Sequence, residues 1–217
     1  MDYLNINHES GVINKYTNMK KMTIAFLAIL LIITAFQSFM AISTSKIEKQ
    51  QYEVIKKEND FEIRYYPPAT FATIESSAKS YKELGSSGFR KIAGYIFGNN
   101  STSAKIAMTS PVHMDISTEG SSMSFVMPSV YDIKTLPRPN DSNVKLHKSE
   151  GEHVAAISFG GFANDATIKK YADQLKKSLV EKGIKTIGHF RYLGYNPPYQ
   201  LIARKNEVIV TVEWNKD

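Results

Sequence analysis

Between residues 52 and 66 apolar and polar positions alternate. Tyr52-Glu53-Val54-Ile55 and Phe61-Glu62-Ile63-Arg64-Tyr65 both follow a period of two, the pattern of half-buried strands. Asn59-Asp60 between them is a turn signal, so the pair reads as a hairpin. Pro67-Pro68 closes the second strand, and Phe71–Glu75 predicts a third. From Ser80 the period changes. Tyr81, Leu84, Gly88/Phe89, Ile92 and Ile96 stand three and four apart, which is the face of an amphipathic helix. Gly85, Gly88 and Gly94 interrupt it, and glycine inside a helix implies close approach to a sheet. Ile106–Met114 and Met123–Met127 then predict two strands around a turn at Thr118–Ser122. Residues 132–151, with Pro137, Pro139, Asn140, Asp141 and Gly151, read as a long irregular connection with a short strand at Val144–His147.

The order then recurs. His153–Phe159 predicts a strand that Gly160-Gly161 ends. Asn164 or Asp165 can cap a helix carrying Ile168, Tyr171, Ala172, Leu175 and Leu179, with Gly183 as its stop. His189–Tyr195 and Glu207–Trp214 are further strands, parted by Asn196-Pro197-Pro198. Each half, about 52–131 and 152–214, is strand–helix–strand–strand. Phe71 to Ile106 is 35 residues and Val154 to Tyr192 is 38, and Pro111 and Pro197 stand at matching places. The pattern is an internal duplication. It predicts an α+β fold, a curved antiparallel sheet with two helices packed on it, and a cleft near a pseudo-twofold axis, where ligand sites are common.

Ahead of this domain, Met22–Ile42 is a run of 21 residues without charge, preceded by Lys20-Lys21. It is long enough to span a bilayer. Ala41 and Ser43 supply small residues for cleavage after Ser43, the form of a secretory signal peptide. The expectation is a signal peptide or membrane anchor over 22–43, a linker over 44–51, and a domain over 52–217 outside the cytoplasmic membrane, exported, periplasmic or anchored. Residues 1–21 form a lead. Met19-Lys20-Lys21 makes a better start for such a segment than Met1, so translation is expected to begin at Met19.

Composition is globular, with 42% hydrophobic and 22% charged residues and a net charge of +6. The lysines occur in pairs beside acidic or apolar residues, a solvated surface rather than a nucleic-acid footprint. Absence of cysteine excludes disulfides, thiolate zinc sites, covalent c-type haem attachment and a cysteine nucleophile. No Walker loop, dinucleotide glycine motif, HExxH or nucleophile elbow is present, so no catalytic residue is assigned. Beyond His8, which lies outside the domain, His113, His147, His153 and His189 share no metal-ligand spacing. His113, in an apolar strand with methionines, is the best candidate for an axial ligand. Soft apolar residues abound: Met108, Met114, Met123, Met127, Phe125, Tyr131, Tyr192, Tyr195 and Tyr199. Methionine suits flat polarizable ligands, and core packing is the alternative for each.

Several segments resemble the SOUL haem-binding family: Tyr52-Glu53-Val54 with Glu62-Ile63-Arg64-Tyr65-Tyr66 and Pro68-Ala69; Phe89 to Asn99, FRKIAGYIFGN; Lys105 to Val112, KIAMTSPV; and Gly194-Tyr195-Asn196-Pro197-Pro198. The resemblance covers Tyr52 to about Trp214. It implies a duplicated βαββ unit, as in bacterial effector-binding domains, and non-covalent binding of haem or another tetrapyrrole in a surface hydrophobic groove, with no enzymatic activity and no cofactor required for folding. Tyr65 stands where some members are thought to use a histidine; its phenol is a poor ligand without a nearby cation. Lys105, Lys134, Arg138 and Arg204 are candidates for the propionates, and Met108, Met114, Met127 and Tyr195 for the groove wall. A binding module for another flat ligand, or a tetrapyrrole-modifying enzyme, are the alternatives.

Overall fold

A computed structural model describes residues 3–117 and 120–214, with side chains from Lys15 onward. His8's side chain and Thr118-Glu119 of the expected 118–122 turn lie outside the described residues. The chain divides into two compact units, Met1–Ser45 and Lys46–Asp217. The first is one helix, α1 (Tyr3–Ser45). Its Lys15–Ser45 stretch is long and apolar enough to cross a membrane, a property that signal sequences share.

The second unit runs β1 (Glu48–Lys49), β2 (Glu53–Lys57), β3 (Glu62–Tyr66), β4 (Thr70–Ser76), α2 (Tyr81–Ile96), β5 (Thr109–Ser110), β6 (Val112–Ile116), β7 (Ser121–Val126), β8 (Lys145–Lys148), β9 (Glu152–Phe159), α3 (Asp165–Glu181), β10 (Thr186–Gly194) and β11 (Asn206–Val212). Nine strands form an antiparallel sheet in the order β2-β3-β9-β11-β10-β6-β7-β4-β8. The duplication is visible in that order. β4-α2-β6-β7 and β9-α3-β10-β11 are equivalent, and they meet where β10 pairs with β6. The strand leading into each half is exchanged: β3 pairs with β9, and β8 with β4. Each half thus completes the other's sheet.

Both helices begin as their sequences predict. The Ser80 side chain accepts from the Glu83 N–H, and Asn164 accepts from Thr167. Gly183, with φ +67°, ends α3 in the left-handed region. Leu84, Ile92 and Ile96 of α2 and Leu175 and Leu179 of α3 join Ile63, Ile74, Met123, Phe125, Ile157 and Val208 in one buried core between helices and sheet. Gly88 is the close approach its position implied. A Cβ there would stand 3.0 Å from Ile74 Cδ1 and 3.4 Å from Met123 Cε. Gly88→Val should lower stability by about 1–3 kcal/mol, the usual range for overpacking, measured by urea unfolding. An unchanged midpoint would mean the helix is free to shift.

Three expectations need correction. Ile106–Met114 is not one strand. The Asn100 side chain accepts from the Thr102 and Ala104 N–H groups and donates to the Tyr95 and Ala104 carbonyls, while the Ile106 N–H is used on Ile96. Those bonds hold the approach as a loop. Thr109-Ser110 pairs only with β1 in a separate two-stranded sheet, and the strand of the main sheet, β6, starts after the cis Ser110–Pro111 bond. Pro111 and Pro197 do not correspond, since Pro111 precedes β6 whereas Pro197 follows β10. Residues 44–51 are not a loose linker either. Glu48 and Lys49 pair in parallel with Thr109 and Ser110, the Gln50 N–H donates to the Ser110 carbonyl, and the Ser129 N–H donates to the Glu48 carboxylate.

Candidate functional site

On the sheet face away from the helices lies a buried polar cluster. Alternation along β3 and β11 turns Arg64 and Glu207 onto this face with Tyr66 and Ile209. The Arg64 guanidinium donates to both oxygens of Glu207, each at 3.0 Å, and to Glu62 at 2.9 Å. Tyr195 Oη (2.6 Å) and Ser158 Oγ (2.8 Å) also donate to Glu207. The Tyr52 ring covers the guanidinium at 4.2 Å and packs on Tyr66. Glu207 is 0% exposed. Burial alone would push its carboxyl up, but the Arg64 hydrogen bonds and charge, helped by Tyr195 and Lys205, hold it down to about 2. Burial, reinforced by Glu207, pushes the Tyr66 phenol up to about 12 and raises that of Tyr195 further. Every strong charge here is answered, while the buried Tyr66 hydroxyl has no hydrogen-bond partner among the described residues.

His113 lies on the same face. Its Nε2 is 2.7 Å from Gln50 Oε1, and Phe71 packs edge-on against the ring. Burial, with a smaller contribution from Arg191, lowers its pKa to about 3, so the imidazole is neutral when folded. The unfolded chain binds this proton below about pH 6.5, so stability should fall as pH drops from there toward the folded value. His113→Gln is expected to flatten that decline. The check is the urea midpoint at pH 7.5 and 5.0, and an equally steep loss in the variant would refute the assignment.

Among the described residues two surfaces of this unit stand out. A cleft of about 460 Å³ opens between the 48–51 strap, Pro67–Thr70, Val126–Asp132 and Lys148. Its size suits a small molecule, but its lining mixes Lys49 and Lys148 with Glu48, Asp132 and several polar groups. The second surface is a knuckle built from the β10–β11 loop (196–205) and Gly160–Phe162 after β9. Here the usual distribution is inverted. Gln200 is 1% exposed, while Phe162, Tyr199, Leu201 and Ile202 are 55%, 57%, 52% and 52% exposed. Hydrogen bonds explain how. Gln200 Nε2 donates to the Ile202 carbonyl, Arg204 Nη1 donates to the Pro197 and Gln200 carbonyls, and the Lys205 N–H donates to Asn196 Oδ1. Arg204 also stacks on Phe162 at 4.6 Å, and Asn206 Nδ2 donates to the Gly161 carbonyl, joining the two loops. Polar side chains thus brace the inside and apolar ones face outward. Beneath lie stacked Phe159 and Tyr171, and Tyr192 with Tyr81 edge-on.

The residues singled out in the sequence are scattered. Met127 lines the cleft. Tyr195 belongs to the Glu207 cluster, at the foot of the knuckle. Met114 and Tyr192 face each other across the pseudo-twofold axis, each 3% exposed, so the position expected to be a cleft is filled by core. Met108 is half-buried against that core. Tyr65 packs on His153 at the opposite side of the sheet from Arg64, beside Gly151. Arg138 is exposed in the connection after β7, its backbone bonded to Ser101. Lys105 and Lys134 are exposed. Among the described residues no group of three His, Asp or Glu side chains could hold a metal ion. The Arg64–Glu207 pair was missed because 143 residues separate its members.

The knuckle presents apolar and aromatic surface above Arg204 and Lys205, whereas the cleft lining is mixed. The model of the SOUL heme-binding protein family matches residues 47–211. Heme-binding protein 1 of Mus musculus is 30% identical over 161 residues, covering 70% of this chain and 84% of its own length. Heme-binding protein 2 of Homo sapiens is 31% identical over 157 residues, with 68% and 76% covered. Among solved structures, EcmrR in a DNA complex superposes with a TM-score of 0.54 at 9% identity, covering 94% of this chain and 72% of that one. A hydrolase from Listeria innocua reaches 0.50 at 11% identity, with 73% and 94% covered. At such identities these structures report the fold alone.

Proposed function

Since this chain belongs to the SOUL heme-binding protein family, we propose that it binds haem or another tetrapyrrole non-covalently on the 160–162/196–205 knuckle. The reading carries no catalytic step. Its support is the inversion at the knuckle. Four large apolar side chains are held in water by a braced loop, each forgoing roughly half of the ~1.5–3 kcal/mol that full burial would give. A surface kept this way is one that a ligand covers. Arg204 and Lys205 add positive potential beneath its edge, with Arg204 Nη1 committed to the loop carbonyls and the Lys205 ammonium paired with Glu207 at 3.0 Å. In this reading neither His113 nor Tyr65 ligates iron, because His113 Nε2 is engaged by Gln50 and Tyr65 is packed on His153; apolar contact dominates. The N-terminal apolar helix supports a protein exported or anchored at a membrane, with the domain on the non-cytoplasmic side.

The test is a Soret titration of the full chain in detergent with ferric haem. A saturable red shift at micromolar haem is expected, and the His113→Ala and Tyr65→Phe variants should give the same spectrum and midpoint. Absence of a saturable shift would defeat the proposal, and loss of the shift in either variant would defeat its ligation scheme.

A further inference from the structure

The same knuckle has a second consequence, which rests on its being a docking surface but not on what ligand it takes. We propose that it seats on a lipid bilayer, inserting Leu201, Ile202 and Phe162 to the depth of the headgroup boundary. The chain itself argues for this occupant: the domain is continuous with a helix long and apolar enough to cross a membrane. The makeup of the knuckle fits an interface. Tyr199 has an amphipathic ring of the kind that gathers at headgroup level, and aliphatic side chains lie beside it. Arg204 and Lys205 stand at its base, with the Lys205 ammonium over the Tyr195 ring at 4.4 Å. Net charge points the same way. Three of the 27 Lys and Arg residues and two of the 21 Asp and Glu residues precede Lys46, leaving the domain 24 cations against 19 anions. A positive domain is attracted to an anionic leaflet. The internal bracing by Gln200 and Arg204 matters here too, since a loop fixed before contact loses little conformational entropy on docking.

The cysteine-free sequence makes the experiment clean. Leu201→Cys and, separately, Ile202→Cys are labelled with an environment-sensitive fluorophore in the full chain. The chain is then reconstituted into vesicles of phosphatidylcholine and phosphatidylglycerol at about 3:1. Val130→Cys, at a position 82% exposed on the cleft side, serves as the reference. The expected result is a blue shift and at least twofold stronger quenching by doxyl-labelled lipid at 201 and 202 than at 130. At the first two positions, protection from aqueous iodide should accompany it. Equal lipid quenching at all three positions, or full iodide access at 201 and 202, would overturn the proposal. Haem and bilayer would cover the same side chains, so the vesicle experiment is run without haem: burial of 201 and 202 in lipid supports the docking whatever the Soret titration gives, and their full exposure overturns it even where haem binds.

Discussion

Glu207→Ala is expected to destabilise the domain by about 3–5 kcal/mol, the range for removing one partner of a buried ion pair. The change leaves Arg64 buried with only Glu62 to answer it and takes away the acceptor of Tyr195 and Ser158. Arg64→Met should cost less, because Lys205, Tyr195 and Ser158 still answer the carboxylate. The double replacement Arg64→Met with Glu207→Leu should recover most of the loss, since the buried pair's attraction largely offsets its own desolvation. Urea unfolding of the four proteins gives the coupling directly. Additive losses would mean that the two residues act separately. The pH dependence follows from the same pair. Glu207 is held at about 2 when folded and titrates near the ordinary carboxylate value when unfolded. Its contribution is therefore complete above about pH 4.5 and disappears as pH falls toward 2. In Glu207→Ala that part of the acid sensitivity should be gone.

The second large effect concerns binding. The paired substitution Leu201→Glu with Ile202→Glu should weaken haem at least tenfold, ~1.4 kcal/mol. It replaces apolar contact with charge that would have to be desolvated and that repels propionates. Both positions are more than half exposed, so the unfolding midpoint should hardly move. Val130→Glu, in the cleft, should leave the titration within about twofold. The reverse pattern, with binding lost at Val130 and kept at 201/202, would transfer the ligand to the cleft and end the knuckle reading.

Much of the architecture could be read before any coordinates. The helix over Tyr81–Ile96, its Ser80 cap, the Asn164 cap and Gly183 stop of the second helix, and the repeated strand–helix–strand–strand order rest on neighbours within four residues or on a simple period. The site could not be read so directly. Met114 is fixed as core rather than groove wall only by Tyr192 opposite it across the axis. His113 seemed available until Gln50, from a segment that reads as linker, was found on its Nε2. Tyr199, Leu201 and Ile202 look like ordinary apolar residues in a proline-bearing loop. Only the inward turn of Gln200 and Arg204 shows that they face water.

Local chemistry along the chain was thus enough for the elements, the duplication, the apolar N-terminal helix and the absence of familiar catalytic motifs, because each depends on residues close in sequence. The exchange of leading strands between halves, the Arg64–Glu207 pair and the inverted knuckle were decided in three dimensions. Each depends on which distant backbone atoms are left to be hydrogen-bonded and which side chains share a face, and those follow from strand order and register across the whole sheet rather than from any local pattern.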